Sequence, residues 1–263
     1  MNIIICLVCT LLMELQQVSS QLDIQYGGDV MLTQKELAKV ERMADFEIEF
    51  YRQFGLPDTM QLRMTLFEDK NEGRAYLSKI YNGLSPHLST GGIYLDKNHE
   101  AVIWEFRENR ERKLAVIYHE MSHYFQHRIF RRRLPVWISE GLSEYFEHCE
   151  VKKKSIRHIM SEYEEGRIRS MYMLNEVNLK SFVDISYNAF MGRQRMDENY
   201  SYILAHALIA FFLDDCPREI FVALFNSLQD NDYKISVYER IDRIYPGGFS
   251  SFKTDFRKKF AGQ

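Results

Sequence analysis

Two hydrophobic periodicities divide the chain into a first half with strands and a second half dominated by helices. Polar and apolar residues alternate over residues 61–67, as in a half-buried strand, and shorter runs over 91–95 and 101–106 predict two further strands. Helical spacing to about residue 54 follows a capping box formed by Thr33 and Glu36, and residues 70–81 predict a second helix. The first half therefore has the elements of an α/β unit.

Beyond Glu108 almost every segment has helical period. The predicted helices cover residues 109–130, 135–150, 151–165, 198–214, 217–228, 236–244 and 249–260. These segments predict an α+β fold with a small mixed β-sheet, in which an α/β half, about residues 21–133, precedes a mostly helical half, about residues 134–263. A cleft between two such halves is the usual place for a binding or active site.

Residues 1–20 differ from the rest of the chain. An apolar run over 3–13 is followed by Val18 and Ser20, which a signal peptidase accepts three residues and one residue before Gln21. The run is too short to span a bilayer permanently. We therefore expect a cleaved signal peptide at 1–20 and a secreted or periplasmic protein with no stable membrane span. Because no Lys or Arg precedes the run, a buried helix of a cytoplasmic protein stays open as the alternative.

Net charge bears on the possible binding partners, and cysteine content bears on disulfide formation. A formal net charge of −3 over 263 residues argues against a nucleic-acid partner, which would require a strongly basic face. After removal of the first twenty residues only Cys149 and Cys216 remain. Two cysteines in an exported protein can form a disulfide, but their sequence positions do not show whether they approach each other.

The chemistry of the chain is concentrated in the segment His119-Glu120-Met121-Ser122-His123. Residues four apart on a helix project from the same face, so His119 and His123 can direct two imidazole nitrogens at one Zn²⁺ ion. Glu120 is turned by about 100° from its neighbour and lies beside the ion rather than on it. This position suits a general base that takes a proton from water.

A catalytic zinc ion requires a third protein ligand and one open position. Sixteen residues separate His123 from Glu140, which is enough for a second helix to fold back against the first. Glu144 lies one turn later on the same face, where it can accept the free imidazole N–H of His119 or His123 and fix the tautomer. Two imidazoles and one carboxylate suit zinc, although several divalent metals accept the same set.

The pattern H-E-x-x-H followed by Trp137-Ile138-Ser139-Glu140-Gly141-Leu142-Ser143-Glu144-Tyr145 resembles the gluzincin zinc metallopeptidases, and in particular the peptidase-MA-like domains of exported bacterial proteins. The resemblance implies a thermolysin-like core and a zinc ion held by His119, His123 and the Glu140 of the Glu-Gly pair. It also implies that Tyr202, at the start of an apolar helix, stabilises the oxyanion. Tyr200 and His206 are alternatives for that role, and aromatic residues at helical spacing also occur as ordinary core residues.

The remaining histidines lack the features of zinc ligands. His127 continues the series of His119 and His123, but it lies about 12 Å from His119 along a straight helix and no glycine turns the chain before it. We therefore expect His127 to be structural. His87, His99, His148 and His158 have no partner at a metal-binding spacing, so the sequence predicts surface or core histidines there.

These observations predict a zinc-dependent peptide-bond hydrolase that acts on a peptide or protein substrate. Similar aminopeptidases carry a glutamate before the zinc helix that holds the substrate's free amine, whereas residues 91–95 contain no acid. An endopeptidase is therefore the better prediction than an aminopeptidase. The alternative from another class is a non-catalytic binding protein of the cell envelope that keeps the fold.

Overall fold

The computed structural model describes residues 21–81, 91–130, 133–196, 199–229 and 234–262. The predicted signal peptide at 1–20 and the histidine at position 87 lie outside these residues. Within the described part, the chain is a mixed α and β protein with a small mixed sheet and many helices, as the sequence predicted. No helix among the described residues combines the length and the apolar character needed to cross a membrane.

A four-stranded sheet forms the first half. Its strands are β1 (Gln21–Gly28), β2 (Thr59–Leu66), β3 (Gly92–Leu95) and β4 (Glu100–Ile103), in the spatial order β1-β2-β4-β3. Strands β1, β2 and β4 are parallel, and β3 pairs antiparallel with β4, so that Ile93 lies opposite Val102. Among the described strands, β3 thus stands last in the sheet, next to β4.

Helices cover both faces of this sheet. On one face, α1 (Gln34–Arg52) and α3 (Arg110–Ile129) share a core with the alternating buried residues Met60, Leu62 and Met64 of β2. On the other face, α2 (Lys70–Ile80) packs around Val102 and Trp104. The alternation in β2 follows from the pleat, which directs successive side chains to opposite faces.

The second half packs mainly as helices around the first. It contains α4 (Val136–Glu147), a hairpin of β5 (Cys149–Lys152) and β6 (Ser155–His158), then α5 (Glu162–Met173), α6 (Leu179–Val183), α7 (Tyr187–Met196), α8 (Tyr200–Ala210), α9 (Arg218–Gln229), α10 (Val237–Ile244) and α11 (Gly248–Ala261). Helix α8 continues into a wider π-helical turn over Phe211–Asp215. Helix α4 packs against α3 on one side and against α8 on the other.

The helix predicted over residues 151–165 is wrong. The chain forms the β5–β6 hairpin there, with Val151 opposite Ile156, and helix α5 begins only after Ser161. Three consecutive lysines, Lys152 to Lys154, lie at the hairpin turn, where their charges stay in water. Ser161 then forms a capping box with Glu164, which satisfies the first free N–H groups of α5 and fixes its start. Strand β1 and the helices α6 and α7 were not predicted.

Candidate metal centre

Helix α3 positions the predicted histidines and the predicted base. The helix is capped by Asn109 and largely buried, and the imidazole rings of His119 and His123 lie on one face with their centroids 4.9 Å apart. Both rings are more than four-fifths buried. Burial of the helix restricts the rotamers of both rings, which is what a metal site requires of its ligands.

Glu140 on α4 completes a group of three possible ligands. Its Oε2 atom lies 3.6 Å from Nε2 of His119 and 3.6 Å from Nε2 of His123. Donor atoms of the three residues all fall within 4.8 Å of one another. Ligands at ~2.0–2.1 Å from a tetrahedral Zn²⁺ ion are separated by roughly 3.3 Å. The observed separations therefore fit an ion of this size with only small movements.

Hydrogen bonds of Gln126 connect α3 to α4 beside this group. Its side-chain amide donates to Ser122 Oγ (3.0 Å) and to the Ser139 carbonyl (3.1 Å), and Ser139 Oγ donates to Gln126 Oε1 (2.6 Å). Tyr51 of α1 extends the network through a 2.8 Å hydrogen bond with Ser122. These bonds satisfy buried polar groups, and they hold the helix of Glu140 in register with the helix of the histidines.

The second nitrogen of each imidazole contacts an oxygen, which fixes the tautomer. His123 Nδ1 lies 3.3 Å from Ser139 Oγ, whose own hydrogen goes to Gln126, so Nδ1 donates. His119 Nδ1 lies 2.8 Å from Glu147 Oε2, in an ion-pair contact whose angle is too oblique for a good hydrogen bond. The first contact places a proton on His123 Nδ1, the carboxylate beside His119 Nδ1 favours a proton there, and Nε2 of each ring faces Glu140.

Glu144, predicted to accept from an imidazole, lies 3.8 Å from His119 Nδ1, beyond hydrogen-bond distance. Glu147, two turns after Glu140 on the same helix, is closer at 2.8 Å. Burial raises the pKa of Glu144, and the neighbouring Glu147 raises it further. Burial also acts to raise the pKa of Glu147, but the contact with His119 outweighs burial and the net shift is downward.

Close packing of α4 against α8 sets the distance between Glu140 and the helix that carries Tyr202. A Cβ added at Gly141 would lie 2.5 Å from the Ala205 carbonyl oxygen and 2.7 Å from Ile209 Cγ1. Only a residue without a side chain permits this approach. The glycine that follows Glu140 is therefore a packing requirement that sets the distance between the ligand helix and α8.

Tyr202 on α8 lines the same cleft as His119, His123 and Glu140. Its ring packs edge-on against Phe190, with centroids 5.3 Å apart. Burial raises the pKa of the Tyr202 hydroxyl, and the carboxylates of Glu140 and Glu144 add to the shift. The hydroxyl therefore stays protonated near neutral pH and can act as a hydrogen-bond donor.

The two alternatives to Tyr202 lie elsewhere. The Tyr200 hydroxyl donates to the Glu176 carbonyl at 3.0 Å. His206 is fully buried and contacts Glu164 and His158, outside the group formed by the three possible ligands. Of the three candidates for the oxyanion role, only Tyr202 is placed in the cleft.

Glu120 is buried beside the group and faces strand β3. A Cβ added at Gly92 would lie 3.0 Å from Glu120 Oε1 and 2.7 Å from Val116 Cγ1, so the carboxyl rests against the bare backbone of that strand. Burial raises the pKa of Glu120, while His119 and His123 partly oppose the shift. A carboxylate with a raised pKa is a stronger base than an exposed glutamate.

A cleft of about 600 Å³ opens between strand β3 and helix α4. His127 lines it, but its Nδ1 atom lies 3.2 Å from Asp96 Oδ1 and it is not one of the three possible ligands. Burial lowers the pKa of His127 more than Asp96 raises it.

Cys149 and Cys216 are both free thiols, so they do not form the disulfide that the sequence left open.

Four carboxylates, from Glu120, Glu140, Glu144 and Glu147, surround the two imidazoles in a mostly buried space. Such an excess of buried negative charge is stable only when it is protonated or paired with a cation. The donor set and the charge therefore both fit a divalent metal ion.

Neither a protein-family model nor a curated protein sequence matches this chain.

Proposed function

We propose that the protein is a zinc-dependent peptide-bond hydrolase with a gluzincin-type site on a thermolysin-like core. The observation that carries the proposal is the convergence of His119 Nε2, His123 Nε2 and Glu140 Oε2 beside the buried Glu120 carboxyl, at the wall of an open cleft. Catalytic zinc sites use donor sets of this kind, here two imidazoles and one carboxylate. They also leave one coordination position open, which here would face the cleft.

His119, His123 and Glu140 would hold the ion. When bound, zinc supplies Lewis acidity toward water and toward a peptide carbonyl. The chain's own contribution is to keep both Nε2 lone pairs available, through the contacts of Nδ1 with Glu147 and Ser139.

Glu120 would act as the general base and then as the acid. Its carboxylate takes a proton from the attacking water and passes that proton to the amine that leaves. The bare backbone at Gly92 lets the carboxyl approach strand β3, so the base lies between the metal ligands and the place where a substrate backbone would run.

Strand β3 and Tyr202 would position the substrate. Strand β3 lines the cleft through Gly92, Ile93 and Tyr94, so an extended peptide in the cleft would run beside this strand. Tyr202, on the other wall of the cleft, keeps its hydroxyl proton and can donate it to the carbonyl oxygen as negative charge develops there.

An endopeptidase agrees best with the walls of the cleft. Among the described lining residues, the carboxylates are those of Glu120 and Glu140. Both already have roles in the proposed chemistry, which leaves no further described acid to bind the free amine of a substrate. Asp96, the first acid after strand β3, contacts His127 at 3.2 Å.

The test is a comparison of Glu120→Gln with Glu111→Gln. Both substitutions remove one carboxylate from helix α3, but Glu111 is exposed, lies in the first turn of the helix and contacts Lys39. We expect Glu120→Gln to retain zinc and to lose about 10²–10⁴-fold in turnover, and Glu111→Gln to be unchanged. Turnover is measured as new peptide ends in a defined peptide mixture by mass spectrometry.

Two further results are informative. His123→Gln should lose the zinc equivalent held by this site together with the activity. Wild-type turnover in Glu120→Gln would refute the assignment of the base. A zinc-loaded wild type that cleaves no peptide in the mixture would instead favour the non-catalytic binding protein.

A further inference from the structure

Two buried histidines face each other away from the candidate metal centre. We call them the histidine pair: His158 at the end of β6 and His206 on α8, whose Nε2 atoms are 2.7 Å apart. On the outer side of the pair, His158 Nδ1 lies 2.7 Å from Asp214 Oδ2, and His206 Nδ1 lies 2.8 Å from Glu164 Oε1. His206 is fully buried, and the His158 side chain is 6% exposed. Each imidazole thus contacts the other ring on one side and a carboxylate on the other.

The two outer nitrogens both carry a proton. Burial acts to raise the pKa of Glu164, but its bond with His206 outweighs burial and lowers that pKa to about 2. For Asp214, the bonds from His158 and Tyr145 likewise outweigh burial and lower the pKa. Both carboxyl groups are therefore ionised near neutral pH. Because an ionised carboxylate only accepts, Nδ1 of each ring is the donor in its contact.

The two inner nitrogens require one further proton. A neutral imidazole that is protonated at Nδ1 has a lone pair on Nε2, and two such lone pairs at 2.7 Å repel each other. A proton between them converts the repulsion into a short, charge-assisted hydrogen bond. His158 belongs to none of the described groups of side chains that could share a metal ion, so the geometry calls for a proton. The pair then carries one positive charge between two carboxylates.

The surroundings favour His158 as the ring that carries this charge. Its ring stacks on the ring of Tyr145, with centroids 4.0 Å apart and 15° between the planes. An aromatic face attracts a cation through its quadrupole. Burial lowers the pKa of His206 to about 4, although Glu164 acts in the opposite direction. His158 is therefore the donor across the pair, and His206 is the neutral acceptor.

Titratable and charged groups approach the pair and its carboxylates from five neighbouring elements of the described chain. They are Glu144, Tyr145 and His148 of α4 and its end, Cys149 of β5, Glu164 of α5, Asp214 of the π-helical turn and Lys259 of α11. His148 packs against the His206 ring, and its Nε2 lies 3.6 Å from Glu164 Oε1. Burial raises the pKa values of Tyr145 and Cys149, so both stay neutral. The carboxylates in contact with the pair are thus the groups that balance its charge.

We propose that His158 and His206 share one additional proton, which holds the β5–β6 hairpin against α8 and releases the hairpin when the pH rises. Ser161 and Glu164, which follow the hairpin, line a cavity of about 530 Å³ that residues of the candidate metal centre also line. Release of the hairpin would therefore change one wall of that cavity. The proposal requires neither a bound metal ion nor the proposed peptidase activity.

Proton linkage gives the sign by which a shared proton is recognised. In the unfolded chain each histidine titrates near about pH 6.5. The folded pair keeps its proton above that pH, so the stability that it contributes is fully present below about pH 6.5 and is lost as the pH rises further. Two neutral buried histidines have the opposite effect, because only the unfolded chain then binds protons. Their contribution rises with pH up to about 6.5 and then stays constant.

Urea titrations of the wild type and His158→Gln from pH 5 to pH 9, at fixed zinc concentration, measure this contribution. We expect the ratio of their folding equilibrium constants to be constant at low pH and to fall by up to tenfold per pH unit above about pH 6.5. His127→Gln is the matched control, because His127 Nδ1 also lies beside a carboxylate, at 3.2 Å, but no second imidazole nitrogen bonds to its ring among the described residues. The same ratio for His127→Gln should not fall above about pH 6.5. A ratio for His158→Gln that rises to about pH 6.5 and then stays constant would overturn the proposal.

Nuclear magnetic resonance of the wild type detects the same proton if His158→Gln fails to fold, with far-ultraviolet circular dichroism as the check of folding. In protein labelled with nitrogen-15 histidine at pH 7.5, we expect protonated Nδ1 atoms on both rings and one further proton between the two Nε2 atoms. Two neutral rings at this pH would contradict the shared proton.

Trypsin tests the release of the hairpin. Lys153 and Lys154 form the exposed turn between β5 and β6, and cleavage there requires the hairpin to separate from its neighbours. At pH 6.5 we expect this turn to be cut more slowly in the wild type than in His158→Gln, and the ratio of the two rates to approach one as the pH rises to 9. Equal rates at pH 6.5 would show that the pair does not hold the hairpin.

Discussion

Substitution of Gly141 by alanine tests whether the spacing between α4 and α8 determines the geometry of the proposed zinc site. The added methyl group would lie 2.5 Å from the Ala205 carbonyl oxygen, 2.9 Å from the Ala205 carbonyl carbon and 2.7 Å from Ile209 Cγ1. Two of these atoms are backbone and cannot rotate away. The contact must lengthen by at least 0.5 Å to reach 3.0 Å, the shortest distance that real Cβ contacts show. Helices α4 and α8 must therefore move apart.

Two opposing contributions set the size of the effect. Overpacking of this kind costs about 1–3 kcal/mol of the free energy of unfolding. Alanine in place of glycine within a helix gains up to ~1 kcal/mol. The control Gly166→Ala, in helix α5, has the same helical gain without the clash, because its Cβ would meet only the Arg169 guanidinium at 3.9 Å. The difference between the two variants isolates the packing cost at about 1–3 kcal/mol.

Urea titrations at fixed zinc concentration measure this difference, and thermal melts check it. We expect Gly141→Ala to melt below Gly166→Ala by roughly 2–4 °C per kcal/mol for a chain of this size. Because Glu140 precedes Gly141 and moves with it, zinc affinity should also fall by about 10-fold. Equal stability of the two variants, together with wild-type zinc affinity in Gly141→Ala, would refute the reasoning.

Three further predictions concern other buried groups. Gly92→Ala, whose methyl would lie 3.0 Å from Glu120 Oε1, should lower kcat by about 10-fold with zinc content unchanged, and an unchanged kcat would contradict the placement of the base. Glu47 is fully buried with no hydrogen-bond partner among the described residues, and burial raises its pKa well above 4.5. Since the folded state then holds this proton more tightly than the unfolded state, wild-type stability falls as the pH rises above 4.5. The stability advantage of Glu47→Gln in urea titrations should therefore grow from about pH 5 to pH 8, and a constant difference would contradict this. Burial raises the pKa of the Cys149 thiol, and raises that of Cys216 to about 11, so iodoacetamide should label both slowly at neutral pH and quickly in urea; rapid labelling of the native protein would contradict their burial.

Local signals predicted most of the longer helices and the strands β2, β3 and β4, but missed β1, the β5–β6 hairpin, α6 and α7. The capping box of Thr33 and Glu36 marks the start of α1 correctly, because a cap is satisfied by atoms three residues apart and needs no distant partner. Residues 151–165 gave the wrong element because the four-residue strands β5 and β6 are followed within a few residues by the helical spacing of α5. Their hairpin is stabilised by packing of Val151 and Ile156 on the main core, which the local pattern does not contain.

Local sequence spacing was sufficient for the ligands that share a helix. His119 and His123 are four residues apart on one helix, so their convergence follows from helix geometry alone, and the Glu-Gly pair at 140 and 141 follows after one reversal of the chain. Glu147 is seven residues after Glu140 and thus nearly in line with it along the helix axis, whereas Glu144 is turned by about 40°. That offset agrees with the shorter contact of Glu147 with His119, and the spacing could have indicated it.

By contrast, His148, His158 and His206 are carried by a helix end, a strand and a third element 48 residues further on, and only the fold brings them together. The π-helical turn after α8, which presents Asp214 to His158, has no local signal in the sequence either. A spacing rule therefore finds a metal site only when its ligands share an element or follow one chain reversal. The hydrogen bonds that join His158 to His206, and each of them to a carboxylate, could therefore be found only from the fold.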